Sequence, residues 1–163
     1  MLNAFFKPRS IPFYSALFCI VFFLDRMSKW FALHSLALHD VPVFKGFTLT
    51  FSINHGVSWN LFATSTPHGQ YLLISFVSFV FILFLYYANI QYKQNIGLIP
   101  EVFIIGGAVG NLFDRFLYGG VIDFLLLHIS DWHWPTFNIA DCFIFMGVVL
   151  IFIRNYYEYD GNI

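Results

Sequence analysis

The chain has 163 residues, of which 59% are hydrophobic, 22% aromatic and 10% charged, and its net charge is −1. A soluble domain carries roughly 25% charged residues, and 8 Lys/Arg with 9 Asp/Glu cannot give a globule of this size a polar shell. A soluble globular enzyme and a disordered chain are excluded on those grounds, and with no basic surplus there is no electrostatic footprint for a nucleic acid.

Lys7 and Arg9 precede the first apolar run, residues 11–33. The order resembles a secretory leader, but Asp25-Arg26-Met27-Ser28-Lys29 stands where a small-x-small cleavage site would be, so the run reads as a retained span. Residues 34–70 are long for a connector, and residues 34–63 of them are expected to hold a β region. Partial alternation over residues 41–53, with Gly46 as a turn, predicts a small β region on the membrane surface. No charge occurs between Lys45 and Lys93. The second half of that gap, residues 71–90, has the length and purity of a membrane-crossing helix. Residues 96–117 read as a further apolar span that carries Asp114-Arg115 at its far end. Residues 118–138 read as a second outer loop, in which Tyr118, Trp132 and Trp134 suit an interfacial belt. Residues 139–153 form the last span, with Asp141 near its start. Cys19 and Cys142 both lie in apolar runs, so no disulfide framework is expected.

Lys7, Arg9, Lys93 and Arg154 flank one side of these spans, and only Lys45 lies in the first outer loop. The bias puts both termini in the cytoplasm and two loops outside. The expected fold class is an all-α membrane protein with four transmembrane helices and a small outer β region, in one domain over residues 1–163.

Polar groups are scarce here, and they gather at one depth. Asp25, Arg26 and Lys29 close the first span; Asn111, Asp114 and Arg115 close the third; Asn138 and Asp141 open the fourth. Ionisable groups in a bilayer are costly and commonly functional. Asn111 shares a helix face with Asp114 and Arg115, and Asp25 can pair with Lys29 four positions on. Gly106 and Gly110 have small-xxx-small spacing, which admits a neighbouring helix backbone. Asp25, Lys29, Asp114 and Arg115 all have partners available on their own helices.

Asp123 and Asp141 have no basic residue three or four positions away. Two carboxylates in apolar surroundings at one boundary can share a proton, and such a pair performs general acid–base hydrolysis without a covalent intermediate. The residues alone leave open that both are unrelated capping or interfacial groups. Ser28 and Lys29 point about 100° apart on a helix and cannot form a serine–lysine pair. No nucleophile elbow, zinc helix or phosphate loop occurs, and the six histidines lack ligand spacing. No metal and no cofactor are expected. A small polytopic transporter or proton-relay subunit remains the alternative, although neither inverted repeats nor mid-bilayer polar groups are seen.

Four blocks in these residues resemble the lipoprotein signal peptidase (signal peptidase II) family. Asp25-Arg26-Met27-Ser28-Lys29 is similar to its D-x-x-S-K block. Asn54-His55-Gly56-Val57-Ser58-Trp59 is similar to its N-x-G block. Gly106 to Arg115 matches G-G-A-x-G-N-x-x-D-R, followed by Val121-Ile122-Asp123-Phe124. Phe137-Asn138-Ile139-Ala140-Asp141 matches F-N-x-A-D. The resemblance implies a bacterial inner-membrane aspartic protease with a periplasmic β-cradle. It would cut prolipoproteins on the amino side of a diacylglyceryl-modified cysteine. Asp123 and Asp141 fall on the catalytic positions. Lys29, Asn54, Gly56, Gly110, Asn111, Arg115, Asn138 and Ala140 fall on positions that bind substrate or shape the site, and Asp25 and Asp114 on supporting ones. Partners implied are the lipid-modified substrates and membrane lipid, with the chain acting as a monomer. Ile53, where the family often has Arg, and Val57-Ser58-Trp59 depart from the pattern and bear on pocket shape. Residues 124–140, between the aspartates, are expected to form a loop able to close over the site.

Overall fold

The computed structural model describes residues 6–56 and 66–159; Val57, Ser58 and Trp59 lie outside them. Four helices carry most of the chain: α1 (Ile11–Ser35), α2 (Pro67–Lys93), α3 (Ile99–Tyr118) and α4 (Ile139–Tyr159). Proline occupies the first turn of α1, α2 and α3, where a missing N–H breaks no helical bond. The Thr66 side chain caps α2 by accepting from the Gly69 N–H.

α1, α2 and α4 are long and apolar enough to cross a membrane. Their outward faces carry large apolar side chains such as Phe23, Leu72 and Phe152, which water would penalise and lipid would not. α3 differs, because its 20 residues include Glu101, Asp114 and Arg115. It touches all three other helices, and protein groups rather than lipid meet those charges.

Small residues make that central position possible. Gly106 and Gly110 face Val21 and Asp25 of α1, and Gly107 faces α4. A Cβ on Gly107 would lie 2.5 Å from the Ala140 carbonyl oxygen, so α3 and α4 touch backbone to backbone. α2 rests chiefly on α3. Gln70 Nε2 donates to the His55 carbonyl at one end of α2, and Tyr87 accepts from Arg154 near the other.

Four antiparallel strands, β1 (Val41–Phe44), β2 (Phe47–Asn54), β3 (Val121–Ile129) and β4 (Trp132–His133), pair in that order. The fold is thus mostly helical with a small antiparallel sheet, as expected, but the sheet reaches beyond the β region read in residues 41–53. Residues 118–138, expected to be a loop, contribute β3 and β4. The first four residues of β3 are buried one after another. A strand covered on both faces shows no alternation in its sequence, so the run VIDFLLL did not read as a strand. Ile122 and Phe124 pack with Ala32 of α1 and with Leu36 just past its end, the burial of such a large apolar side chain contributing roughly 1.5–3 kcal/mol. The β2–β3 register sets Asp123 opposite Ser52 and Val121 opposite Asn54.

Candidate active site

Where α1, α3 and β3 converge, four charges lie together. Lys29 Nζ meets Asp25 Oδ1 at 3.0 Å and Asp114 Oδ2 at 2.8 Å. Arg26 meets Asp25 Oδ2 and Asp114 Oδ1, each at 2.6 Å. Two cations thus face two carboxylates with no net charge. Remaining lone pairs accept backbone N–H groups, from Ala140 on Asp25 and from Ile122 on Asp114. This satisfaction is what makes buried ions tolerable. Asp25 and Lys29 do pair along α1. Asp114 does not use Arg115, its neighbour, because adjacent helical side chains diverge; it turns to α1 instead.

Lys29 has a third proton, and it donates to Asn111 Oδ1 at 2.7 Å. An ammonium only donates, so the Asn111 oxygen faces it and the NH₂ is left to face Asp141. Asn111 Nδ2 donates to Asp141 Oδ1 at 2.8 Å. Asn138 is oriented the same way. The Asp141 N–H donates to Asn138 Oδ1 at 3.0 Å, while Asn138 Nδ2 donates to Asp123 Oδ1 at 2.6 Å and approaches Asn111 Oδ1 at 3.3 Å. The Asn138 N–H returns to Asp141 Oδ2 at 3.2 Å. Asn138 and Asp141 thereby form a reciprocal cap on α4, so Asp141 has a capping role that its spacing had not revealed. Asn54 Nδ2 completes the shell, donating to Asp123 Oδ2 at 3.1 Å.

Asp123 and Asp141 are therefore linked through two asparagines and open on one cavity of about 650 Å³. Burial, and next the Asp141 carboxylate, push the Asp123 carboxyl up to about 7, against the opposing pull of Asn54, Asn138 and Lys29. A carboxyl titrating there holds and releases a proton near neutrality. Arg115 also lines the cavity and donates from Nη2 to the Gly56 carbonyl. Its buried Nη1 has no hydrogen-bond partner among the described residues. The Gly56 N–H in turn donates to Asn54 Oδ1. The cavity continues along Val77 of α2, Ala108 of α3 and Ile144, Phe145 and Val148 of α4. On the sheet side it is lined by Val121, Leu127, Trp134, Pro135 and Phe137, so the two carboxylates open on a mostly apolar groove. Among the described residues, no three His, Cys, Asp or Glu side chains gather as a metal ion would require.

Asn54, Gly56, Gly110, Asn111, Arg115, Asp123, Asn138, Ala140 and Asp141 come together at this site, and Asp25, Lys29 and Asp114 form the ion cluster beside it. Gly110 gives its carbonyl to Arg26 and its bare Cα to Asp25; Ala140 is fully buried between Asp25 and Gly107. The central role of Arg26 was missed, although its place between Asp25 and Lys29 on an apolar helix was a signal. Ser52 and Thr136 were also missed. Their hydroxyls meet at 2.9 Å, and Ser52 reaches the Asp123 carbonyl. The expected closing loop over residues 124–140 is instead anchored: β3 pairs with β2 and β4, and Phe137 bonds back to Leu125.

A family model described as signal peptidase (SPase) II matches residues 17–157. The lipoprotein signal peptidase of Blochmanniella pennsylvanica is 34% identical over 88% of this chain and 88% of its own. That of Buchnera aphidicola is 38% identical over 84% of this chain and 86% of its own. A bacterial membrane enzyme solved by the in meso method superposes with a TM-score of 0.78 at 24% identity, covering 97% of this chain and 96% of that one.

Proposed function

The chain belongs to the signal peptidase II family, and on that premise we propose that it removes signal peptides from prolipoproteins with Asp123 and Asp141 as its paired carboxylates. The observation that carries this reading is the Asp123–Asn138–Asn111–Asp141 chain of hydrogen bonds within a mostly apolar groove. A peptide bond lying there meets a water and two acids that share one proton. The ionised aspartate takes a proton from the water as its oxygen attacks the carbonyl carbon. The protonated aspartate gives its proton to the carbonyl oxygen. Collapse of the tetrahedral species then sends a proton to the leaving nitrogen, and no covalent enzyme intermediate forms. Arg115 Nη1, without a hydrogen-bond partner among the described residues, is available to a substrate carbonyl, and Asn54, Asn111 and Asn138 hold the carboxylates in place.

The whole chain acts as one integral membrane unit and as a monomer. α3 serves as a fourth span beside the three apolar helices. Both termini face the cytoplasm, and the sheet forms a periplasmic cradle in the outer leaflet. The substrate's signal helix enters from lipid and lies in the groove beside α2 and α4, with a diacylglyceryl-modified cysteine just past the cut. A transporter or relay role is not favoured, since the relatives of this chain are lipoprotein signal peptidases.

The test is cleavage of a diacylglyceryl-modified prolipoprotein and its unlipidated form by wild type, Asp123→Asn and Asp141→Asn. Each variant is expected to lose at least about 100-fold in kcat while staying folded, and the unlipidated form to be cut poorly. Wild-type turnover by either variant ends the proposal.

A further inference from the structure

Two hydroxyls beside Asp123 lie outside the four sequence blocks and outside the carboxylate chemistry. Ser52 on β2 stands directly opposite Asp123 on β3, and residues opposite one another in an antiparallel ladder share a face. Ser52 Oγ donates to the Asp123 carbonyl at 3.3 Å and lies 2.9 Å from Thr136 Oγ1. Thr136, between β4 and α4, lines the cavity, and Ser52 does not.

The protons give this pair a direction. A hydroxyl has one proton and two lone pairs, and a carbonyl only accepts. The Ser52 proton is directed at the Asp123 carbonyl, so the proton between the two hydroxyls is that of Thr136. Thr136 Oγ1 then has no proton left for the cavity and presents lone pairs to it. The other polar side chains on the cavity wall do not duplicate this. Asn54 Oδ1 already accepts from the Gly56 N–H, and Asn111 Oδ1 from Lys29 and Asn138. Arg115 only donates, and the two carboxylates are occupied by the proton they exchange. Thr136 is the neutral oxygen acceptor that remains there among the described residues.

Resting on the proteolytic reading above, we infer that Thr136 Oγ1 accepts a backbone N–H of the substrate beside the scissile bond, and that Ser52 fixes its hydroxyl in the accepting orientation. A peptide displacing water from a mostly apolar groove needs a partner for each N–H as well as for each carbonyl. Arg115 Nη1 takes a carbonyl and Thr136 takes an N–H, so the backbone is recognised whatever side chains it carries. The contact holds the peptide bond in register with Asp123, whose own carbonyl anchors Ser52. Thr136 is a substrate-binding residue and Ser52 a positioning residue.

The experiment uses the full-length enzyme in proteoliposomes and a diacylglyceryl-modified prolipoprotein peptide in which single amides flanking the scissile bond are replaced by esters. An ester keeps the backbone shape and exchanges the N–H for an oxygen. At one position it should cost wild type about tenfold in kcat/KM. Thr136→Val keeps the side-chain shape and loses the hydroxyl. It should cut the all-amide peptide about tenfold less well, and the ester at that position within about threefold of the all-amide peptide, because both partners are then gone. Thr136→Ser should return the wild-type pattern. Ser52→Ala frees the Thr136 proton to turn toward the ester oxygen, so its penalty at that position should be at least about threefold smaller than that of wild type. Thr136→Ala takes the place of the valine variant should that not fold. A wild type indifferent to every ester, or an ester penalty unchanged in the folded Thr136 variant or in Ser52→Ala, overturns the inference. Failure of wild type to cut the all-amide peptide would instead overturn the proteolytic reading, and this inference with it.

Discussion

Lys29 Nζ donates to Asn111 Oδ1 across 2.7 Å, and that contact decides which end of the Asn111 amide faces Asp141. The ion cluster therefore reaches the aspartate pair through one side chain. Asn111→Asp keeps the oxygen that Lys29 needs but removes the donor that Asp141 needs, and sets a third carboxylate beside the pair. kcat should fall by about 100-fold, a loss typical of disrupted acid–base machinery. Thermal unfolding in detergent should stay within a few degrees of wild type. A kcat within about threefold of wild type would show that the amide does not govern Asp141.

Lys29→Met should act on stability first. It leaves Asp25 and Asp114 to share Arg26 alone, and breaking a buried ion network this way costs about 3–5 kcal/mol. The expected result is a clear drop in unfolding temperature and in the yield of folded protein. An unchanged melting curve would mean the cluster is not maintained by Lys29.

The Asp123 carboxyl, pushed up to about 7 by burial and by Asp141, gives a pH dependence with a definite sign. The folded protein holds a proton there that the unfolded chain releases near pH 4. Between about pH 4 and 7 the folded state binds more protons, so this group's contribution to stability falls as pH rises through that window. Asp123→Asn should remove that slope, which unfolding measured from pH 4 to 8 will read. Activity that needs one shared proton should decline along an alkaline limb with an apparent midpoint near 7, a property of the pair as a unit. Asn54→Ala removes a donor to the charged carboxylate, so it should move the limb to higher pH; a shift to lower pH would contradict the assignment.

Gly107→Ala tests the contact between α3 and α4. Its Cβ would meet the Ala140 carbonyl oxygen at 2.5 Å, and backbone cannot yield as a side chain can. The expected cost is about 1–3 kcal/mol, read as a lower unfolding temperature. Activity should fall as well, because Ala140 immediately precedes Asp141. A neutral substitution would show that the helices separate more readily than their packing implies.

What the sequence displayed best was polarity out of place. In a chain this apolar, Asp25, Lys29, Asn111, Asp114 and Asp141 stand out, and one helical turn separates the pairs that share a face. The presence of four apolar runs was legible for the same reason, but α2 starts at Pro67 and α4 runs to Tyr159, beyond the expected 71 and 153, because polar and aromatic residues continue a helix past its apolar stretch. Pairing across helices was not legible. Asp114 sits beside Arg115 in sequence yet bonds to Arg26, 88 positions away, and only the packing of α1 on α3 brings them together. β3 was hidden by its own burial, because consecutive apolar residues lack a strand's alternation. Glu101 and Arg154 each resemble an ordinary charge at a span end, and nothing local announces that they meet.

The α1–α3 cluster bears on how the protein is made. Leaving the translocon alone, the first helix would carry Asp25, Arg26 and Lys29 into lipid with one positive charge to spare, and its natural complement, Asp114, is synthesised much later. Neither segment can settle into hydrocarbon comfortably before the other arrives. Insertion of this enzyme is therefore expected to be cooperative, the first helix settling fully only once the third supplies Asp114.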